Sequence, residues 1–285
     1  MRVLGRRRMR ALPDGARFGD GRDVRAVVAE LIDGPVSGVH VLNHHGLLSL
    51  RVDGAAQRYK VFECESRSRA RLAATALELV AAASGPVPGL VGRSGAVLAT
   101  EWVEGMPCSH EPSDAQKGWL LQCQLALAQT AVPADAESGG YVHLESLVSR
   151  LRERGALVLG RSRVETVVTR LWEMLPPQGE PHIIHPDLTP ANVVLTDGGP
   201  FIIDNEAIAV AHGREFDVWN TGEALYGRRS TTQIESYVAA FAEHFPLPGL
   251  YEYRTAWDRF RVMRQGLKAL EKKRFVKAAR LLRSL

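Results

Sequence analysis

The amino-acid sequence predicts an α+β fold in two parts, with residues 1–104 rich in strands and residues 105–285 mostly helical. Three observations carry this expectation. Short β-prone runs divided by turn residues fill the first third. Longer runs with helical periodicity fill most of the rest. One compact β-like island, His182 to Asn205, interrupts the helical part.

In the first part, Val39 to Leu42, Leu47 to Val52 and Arg58 to Phe62 read as strands, with Asp53-Gly54 as a turn between the last two. Ser66 to Ala83 is rich in Ala and Leu and predicts a helix that stops before Ser84-Gly85-Pro86. Gly89 to Val91 and Ala96 to Val103 give two more strands around Ser94-Gly95. The order predicts an antiparallel sheet with one main helix laid on it. Beyond Gly105, the runs Ala115 to Thr130, Leu144 to Arg154 and Val164 to Leu175 predict helices. Helical periodicity returns near Phe216. Phe260, Met263, Leu267 and Leu270 then recur at three- and four-residue steps, Arg274 interrupts the series, and Ala278, Leu281 and Leu285 resume it.

A chain with 45% hydrophobic and 24% charged residues is neither disordered nor fibrous by composition. Cys64, Cys108 and Cys123 follow no ligand spacing, so no disulfide framework or zinc site is expected, and a reducing compartment is the simpler reading. No apolar run reaches the roughly 18 residues of a membrane span. The arginine-rich stretch Met1 to Arg10 leads into polar sequence rather than an apolar h-region, so a cytoplasmic protein is expected.

The net charge of +4 is unevenly spread. Residues 1–12 carry five arginines and no acid, residues 249–285 carry eleven Lys/Arg against three acids, and the stretch between them is strongly acidic. The basic ends lack interleaved aromatic platforms, which argues against a nucleic-acid partner. Two readings remain for the basic amphipathic C-terminal helix. It could rest on an anionic leaflet, or it could pack on the protein with its lysines in solvent, and packing is the expected one.

The island carries the chemistry. Asp187 is followed five residues later by Asn192, an apolar strand from Val193 to Leu195, and an Asp197-Gly198-Gly199 turn. The returning strand Phe201 to Ile203 then delivers Asp204 to the same end of the hairpin. Two carboxylates and an amide oxygen converge there, hard donors of the kind Mg²⁺ takes alongside phosphate and water.

The run His185-Pro186-Asp187-Leu188-Thr189-Pro190-Ala191-Asn192 resembles the catalytic loop of the protein-kinase-like superfamily, where His-x-Asp-x-x-x-x-Asn precedes a strand ending in a metal-binding Asp. The ending Ile203-Asp204-Asn205-Glu206, without the Phe-Gly of protein kinases, is more similar to the aminoglycoside phosphotransferase and choline kinase branch. Pro186 departs from the Gly most common there, which touches a local loop contact and not the chemistry.

The resemblance implies a bilobal kinase-like fold with Asp187 as catalytic carboxylate and Asn192 and Asp204 holding Mg²⁺ against the phosphates of ATP or GTP. His185 would bond the backbone near Asp204. In Gly213-Arg214-Glu215-Phe216-Asp217, the Asp would brace the catalytic loop. Glu206 could contact the metal or cap a turn.

The resemblance also asks the first lobe for a strand lysine, a helix glutamate and a hinge. Lys60 is the only lysine before residue 117 and would contact the α- and β-phosphates. Its helix partner would be Glu78, unless Glu78 shares a solvated stripe with Arg71 and Thr75; Glu65 is a second candidate. Backbone groups of Glu101 and Val103 would pair with a purine edge. Gly46 and Ser49 lie where a phosphate-covering loop belongs, although that loop lacks G-x-G-x-x-G.

The expected activity is transfer of the γ-phosphoryl group to a hydroxyl of a small molecule such as an antibiotic, amino sugar or amino alcohol. The acidic central stretch suits a cationic acceptor. Two alternatives are a kinase of an envelope or lipid-linked glycan at a membrane surface, and a non-catalytic nucleotide-binding scaffold. The joint presence of Asp187, Asn192 and Asp204 speaks against the scaffold.

Overall fold

The computed structural model describes residues 10–43, 47–109, 111–227 and 230–285. A six-stranded antiparallel sheet opens the chain. Its strands are β1 (Arg10–Ala11), β2 (Val36–Asn43), β3 (Ser49–Gly54), β4 (Arg58–Glu63), β5 (Leu90–Ser94) and β6 (Val97–Glu101), in the spatial order β1-β2-β3-β4-β6-β5. The only sequential neighbours out of order are β5 and β6. The chain leaves β4 through helix α2 (Arg67–Ala82) and crosses to the edge before returning beside β4.

Helices cover both faces of this sheet, where the sequence predicts one. The additional helix, α1 (Val24–Leu31), is capped by Asp23, whose carboxylate accepts from the Ala26 N–H, and it buries Val24, Val27, Val28 and Leu31. At eight residues it survives only because that stripe packs against Leu50, Val52, Val61 and Val97. On the other face α2, capped by Ser66, buries Ala70, Ala73, Leu77 and Val80. Successive side chains of β4 alternate between the two layers: Val61 belongs to the α1 side and Phe62 to the α2 side. Lys60 shares the parity of Phe62 and so points toward the second lobe.

After β6 the chain forms β7 (Met106–Pro107) and then helices α3 (Asp114–Gln129), α4 (Val142–Arg150), α5 (Ala156–Leu159) and α6 (Arg161–Glu173). The expected helix Leu144 to Arg154 ends in a π-helical turn, Leu151–Gly155, that leads into α5. Next come β8 (His182–Ile184), β9 (Val193–Thr196), β10 (Gly199–Ile202) and β11 (Ala209–Ala211). The helices α7 (Arg214–Tyr226), α8 (Thr231–Ala242), α9 (Gly249–Glu252), α10 (Arg254–Glu271) and α11 (Phe275–Arg283) complete the chain. β7 joins the β9–β10 hairpin, and β8 pairs with β11. One large core runs from α2 and Phe62 through α3, α4 and α6 to Phe260, Met263 and Leu267 of α10. Cys64, Cys108 and Cys123 are buried free thiols within it. Among the described residues no helix is long and apolar enough to cross a membrane.

Candidate active site

The loop that carries Asp187 and Asn192 begins where β8 ends. His185 is 2% exposed and anchored twice: its main-chain N–H donates to Asp217 Oδ2 at 2.7 Å, and its Nε2 donates to the carbonyl of Asp204 at 2.7 Å. Because Nε2 faces a carbonyl oxygen it carries the proton, and burial pushes the imidazole pKa down, which keeps the ring neutral. Asp217 lies in the first turn of α7, where a carboxylate suits the helix N-terminus. Gly213, at φ 98°, makes the left-handed entry that β11 needs to feed that helix. Burial pushes the Asp217 carboxyl up to about 8.

Beyond His185, the Leu188 N–H returns to the His185 carbonyl, and a short 3₁₀ turn, Pro190–Asn192, closes the loop. The Asn192 side-chain amide donates to the Asp187 carbonyl at 2.8 Å. That geometry fixes which end of the amide faces the cleft, since the NH₂ is engaged and Oδ1 takes no hydrogen bond among the described residues. In the hairpin Val193 pairs with Ile202, and the Ile203 N–H donates to the Asn192 carbonyl at 2.9 Å. Register therefore places Asp204 directly beside the loop that carries Asp187 and Asn192.

Lys60 reaches the same place from β4. Its Nζ lies 2.5 Å from Asp204 Oδ1, 3.3 Å from the Ile203 carbonyl and 3.7 Å from Glu206 Oε1. Glu206 is largely buried, and that burial raises its carboxyl pKa against the field of Lys60 and a hydrogen bond from Ser49. Asp204, Glu206, Asn192 and the 51%-exposed Asp187 side chain thus border one opening, with Lys60 as the cation inside it. Among the described residues no group of three or more His, Cys, Asp and Glu has metal-holding geometry. The donors gathered here are instead three carboxylates and one free amide oxygen, among which Asp204 and Asn192 form a set that fits Mg²⁺ when phosphate and water complete the shell.

Several predicted residues are placed differently. Glu78 is exposed and does not meet Lys60. On α2 the buried positions 70, 73, 77 and 80 define the inner stripe, and Glu78 sits about 100° beyond Leu77, on the solvent side with Arg71. Glu65 is also exposed and accepts from Ser146 Oγ at 2.6 Å, so the carboxylates on Lys60 are Asp204 and Glu206. Ser49 is 3% exposed and its hydroxyl bonds Glu206, which removes it from the surface a phosphate would touch. Gly46 lies outside the described residues.

At the junction of the lobes, the Glu101 N–H donates to the Gly89 carbonyl and the Trp102 N–H to the Arg58 carbonyl. The Val103 N–H has no backbone partner among the described residues.

Two features were not anticipated. Arg264 of α10 donates from Nη2 to Asp187 Oδ1 at 2.9 Å and from Nη1 to Asn220 Oδ1, while Asn220 Nδ2 donates to the Pro186 carbonyl at 2.6 Å. One guanidinium therefore holds the β8–β9 loop at two points, one of them through Asn220. The second is Glu63, 5% exposed, whose carboxylate accepts from the Gly19 N–H at 2.7 Å and the Leu48 N–H at 3.4 Å, tying down the segment that enters β3. Neither has a local signature, because Arg264 is 77 residues from Asp187 and Glu63 is 44 residues from Gly19.

Fold and site together define a kinase-like phosphotransferase. The profile of the phosphotransferase enzyme family (APH) matches residues 50–261, and the chain belongs to that family.

Among solved structures, a protein assigned as a fructosamine-3-kinase from Haemophilus somnus 129PT superposes with a TM-score of 0.59 at 17% identity, covering 91% of this chain and 95% of the other. An APH(2″) enzyme bound to GDP and kanamycin gives 0.57 at 16% identity over 91% and 97%. Aminoglycoside phosphotransferase APH(4)-Ia with AMP-PNP and hygromycin B gives 0.55 at 14% identity over 90% and 94%. At these identities the likeness establishes the fold. A search of the curated proteins returns no match.

Proposed function

We propose that this chain transfers the γ-phosphoryl group of ATP or GTP to a hydroxyl of a small molecule. The observation that carries the reading is the meeting of Lys60 from β4, Asp204 and Glu206 from beyond β10, and Asp187 with Asn192 from the β8–β9 loop at one opening. Relatives of this fold bound to GDP or AMP-PNP support a nucleotide donor. The lobes would meet near Glu104-Gly105, with Val103 offering its free N–H to the base.

Asp204 and Asn192 would hold Mg²⁺, which when bound neutralises phosphate charge. Lys60 would turn from Asp204 toward the α- and β-phosphates. Asp187, through the carboxylate oxygen not held by Arg264, would orient the acceptor hydroxyl and take its proton. The acceptor oxygen forms the new O–P bond in line as the bond to the β-phosphate oxygen breaks, and a nucleoside diphosphate leaves. Phosphoryl transfer of this kind needs positioning and charge neutralisation more than covalent help, which is what these residues offer.

Beyond Asp187, the acids Glu223 of α7 and Asp258 of α10 are already matched by cations. Arg261 pairs with Glu223 and, at 3.0 Å, with Asp258, and Arg264 stands on Asp187 itself. Burial, and then the charges of Arg264, Arg69 and Arg150, push the His143 imidazole down to about 3. This arrangement supports a hydroxylated acceptor of low positive charge over a polycationic antibiotic. A coupled ADP/GDP-release screen over amino sugars, amino alcohols, ketoamines, neutral and acidic sugars and antibiotics tests the activity, with Asp187→Asn as control. A control that turns over as fast as the parent would show that Asp187 is not the catalytic carboxylate.

A further inference from the structure

The amphipathic stripe of the C-terminal segment is largely accounted for by packing: Phe260, Met263, Leu267, Leu270 and Ala278 lie in the large core and Leu285 packs against it, while Leu282 rather than the expected Leu281 is the buried leucine of α11. What packing does not account for is the turn between α10 and α11. Residues 271–277 are exposed without a break. At the start of α11, directly after this turn, Phe275 is 60% and Val276 87% exposed, two apolar side chains held in solvent next to Lys272, Lys273, Arg274 and Lys277.

The turn is a defined structure. The Arg274 N–H donates to the Ala269 carbonyl and the Lys273 N–H to the Leu270 carbonyl, a Schellman closure of α10 with Lys273 left-handed at φ 55°. Glycine is the residue that adopts this conformation without a steric cost, and here a lysine occupies it. Beside it, Lys268, Lys272, Arg274 and Lys277 line a cleft of about 120 Å³ that contains no carboxylate. The nearby acid, Glu271, is engaged by Arg150 and by Arg154. A further apolar side chain, Leu157, is 85% exposed on α5, which packs against α11.

We propose that the α10–α11 turn docks this protein on an anionic lipid bilayer. Phe275 and Val276 enter the interfacial layer while the surrounding cations meet lipid phosphates. Charge selects the partner's sign, and the exposed apolar pair selects a bilayer over a soluble polyanion. A nucleic acid would satisfy the cations and leave Phe275 and Val276 in water. This proposal stands independently of the phosphotransferase reading, since it rests on surface residues to which that reading assigns no role.

The test is co-sedimentation of the full chain with phosphatidylcholine vesicles and with vesicles containing 30% phosphatidylglycerol, at low and high salt. The variants Phe275→Ser/Val276→Ser and Lys272→Glu/Lys273→Glu are compared by the same assay, with circular dichroism confirming the fold. Binding to the anionic vesicles alone, weakened by salt, is expected. Each lysine lost should reduce partitioning about fivefold, and the apolar double variant should reduce it about tenfold. Absence of binding to anionic vesicles at low salt overturns the proposal. So does binding that is unchanged by the apolar variant, or a polynucleotide that competes the protein off the vesicles with equal effect on the apolar variant and the parent.

Discussion

Arg264→Ala is the most informative single change in the catalytic lobe. Arg264 does two jobs with one side chain, holding Asp187 Oδ1 at 2.9 Å and Asn220, which in turn holds the Pro186 carbonyl. Full charges about 4 Å apart at an effective dielectric near 20 interact by about 4 kcal/mol. The Asp187 side chain is 51% exposed, so solvent screening reduces the pair's net contribution to about 1 kcal/mol. A loss of that size lowers Tm by only about 2–4 °C.

The larger effect should fall on catalysis. Without the guanidinium, the Asp187 carboxylate is free to rotate and Asn220 loses its anchor, and displacing a catalytic group by about 1 Å can cost about 100-fold. The expected result is a fall in kcat of about 10- to 100-fold with the nucleotide KM within about twofold. Arg264→Lys should recover part of it, because a lysine restores the charge but not the two-ended fork. Steady-state kinetics with whichever acceptor the release screen returns, alongside thermal melts, reads both quantities. Parental kcat in the alanine variant, with the small Tm loss present, would refute a positioning role.

Two further predictions concern the ends of the loop. Burial raises Asp217 to about 8, well above its unfolded carboxylate value, so the folded state binds the proton more tightly and stability should fall as pH rises from about 4 to 8. Asp217→Asn keeps an oxygen for the His185 N–H and should flatten that decline in Tm, whereas Asp217→Ala strands a buried N–H and should cost about 1–3 kcal/mol near pH 4, a deficit that shrinks as the parent itself loses stability toward pH 8. Lys60→Met leaves Asp204 and Glu206 without their shared cation and should lower kcat/KM about 100-fold or more, measured by the same release assay under saturating acceptor.

The parts of this protein that were readable from sequence are those whose determinants lie close together. His185 to Asp204 spans twenty residues, and its spacing alone dictates a loop, a hairpin and the return of Asp204 beside Asn192. The strands β2 to β6 declare themselves by alternation and by Asp53-Gly54. What was not readable depends on rotation or on distance along the chain.

Glu78 is the right residue type on the right helix, but one residue's step around α2 is about 100°, and that angle decides whether a carboxylate meets Lys60 or water. Glu206 takes that place because it follows Asp204 by two residues and travels with it to the opening. Ser49 sits at a plausible loop position, yet the first pair of β3 and β4, Ser49 opposite Phe62, turns its hydroxyl inward to Glu206. The helix α1 was missed although Val24, Val27, Val28 and Leu31 follow the i, i+3, i+4, i+7 pattern after an Asp23 cap: two turns are too short to stand alone, and the stripe has meaning only once the sheet beneath it exists.

α10 connects the Asp187 loop to the basic turn. Arg264 stands on the Asp187 carboxylate, and Lys272 caps the same helix at the basic turn, eight residues on. At 1.5 Å per residue the two α-carbons are separated by about 12 Å along the axis. Whatever angle the helix makes with a bilayer, Arg264 therefore lies no more than about 12 Å farther from it than the turn does. A protein docked through Phe275 and Val276 would hold its acceptor opening near the lipid surface, where an acceptor carried on a short lipid-linked arm is presented at high effective concentration. Two sets of cations would then act together: Lys272, Lys273 and Arg274 draw the enzyme to anionic lipid at one end of α10, while Arg261 and Arg264 farther along it favour an uncharged or acidic hydroxyl acceptor.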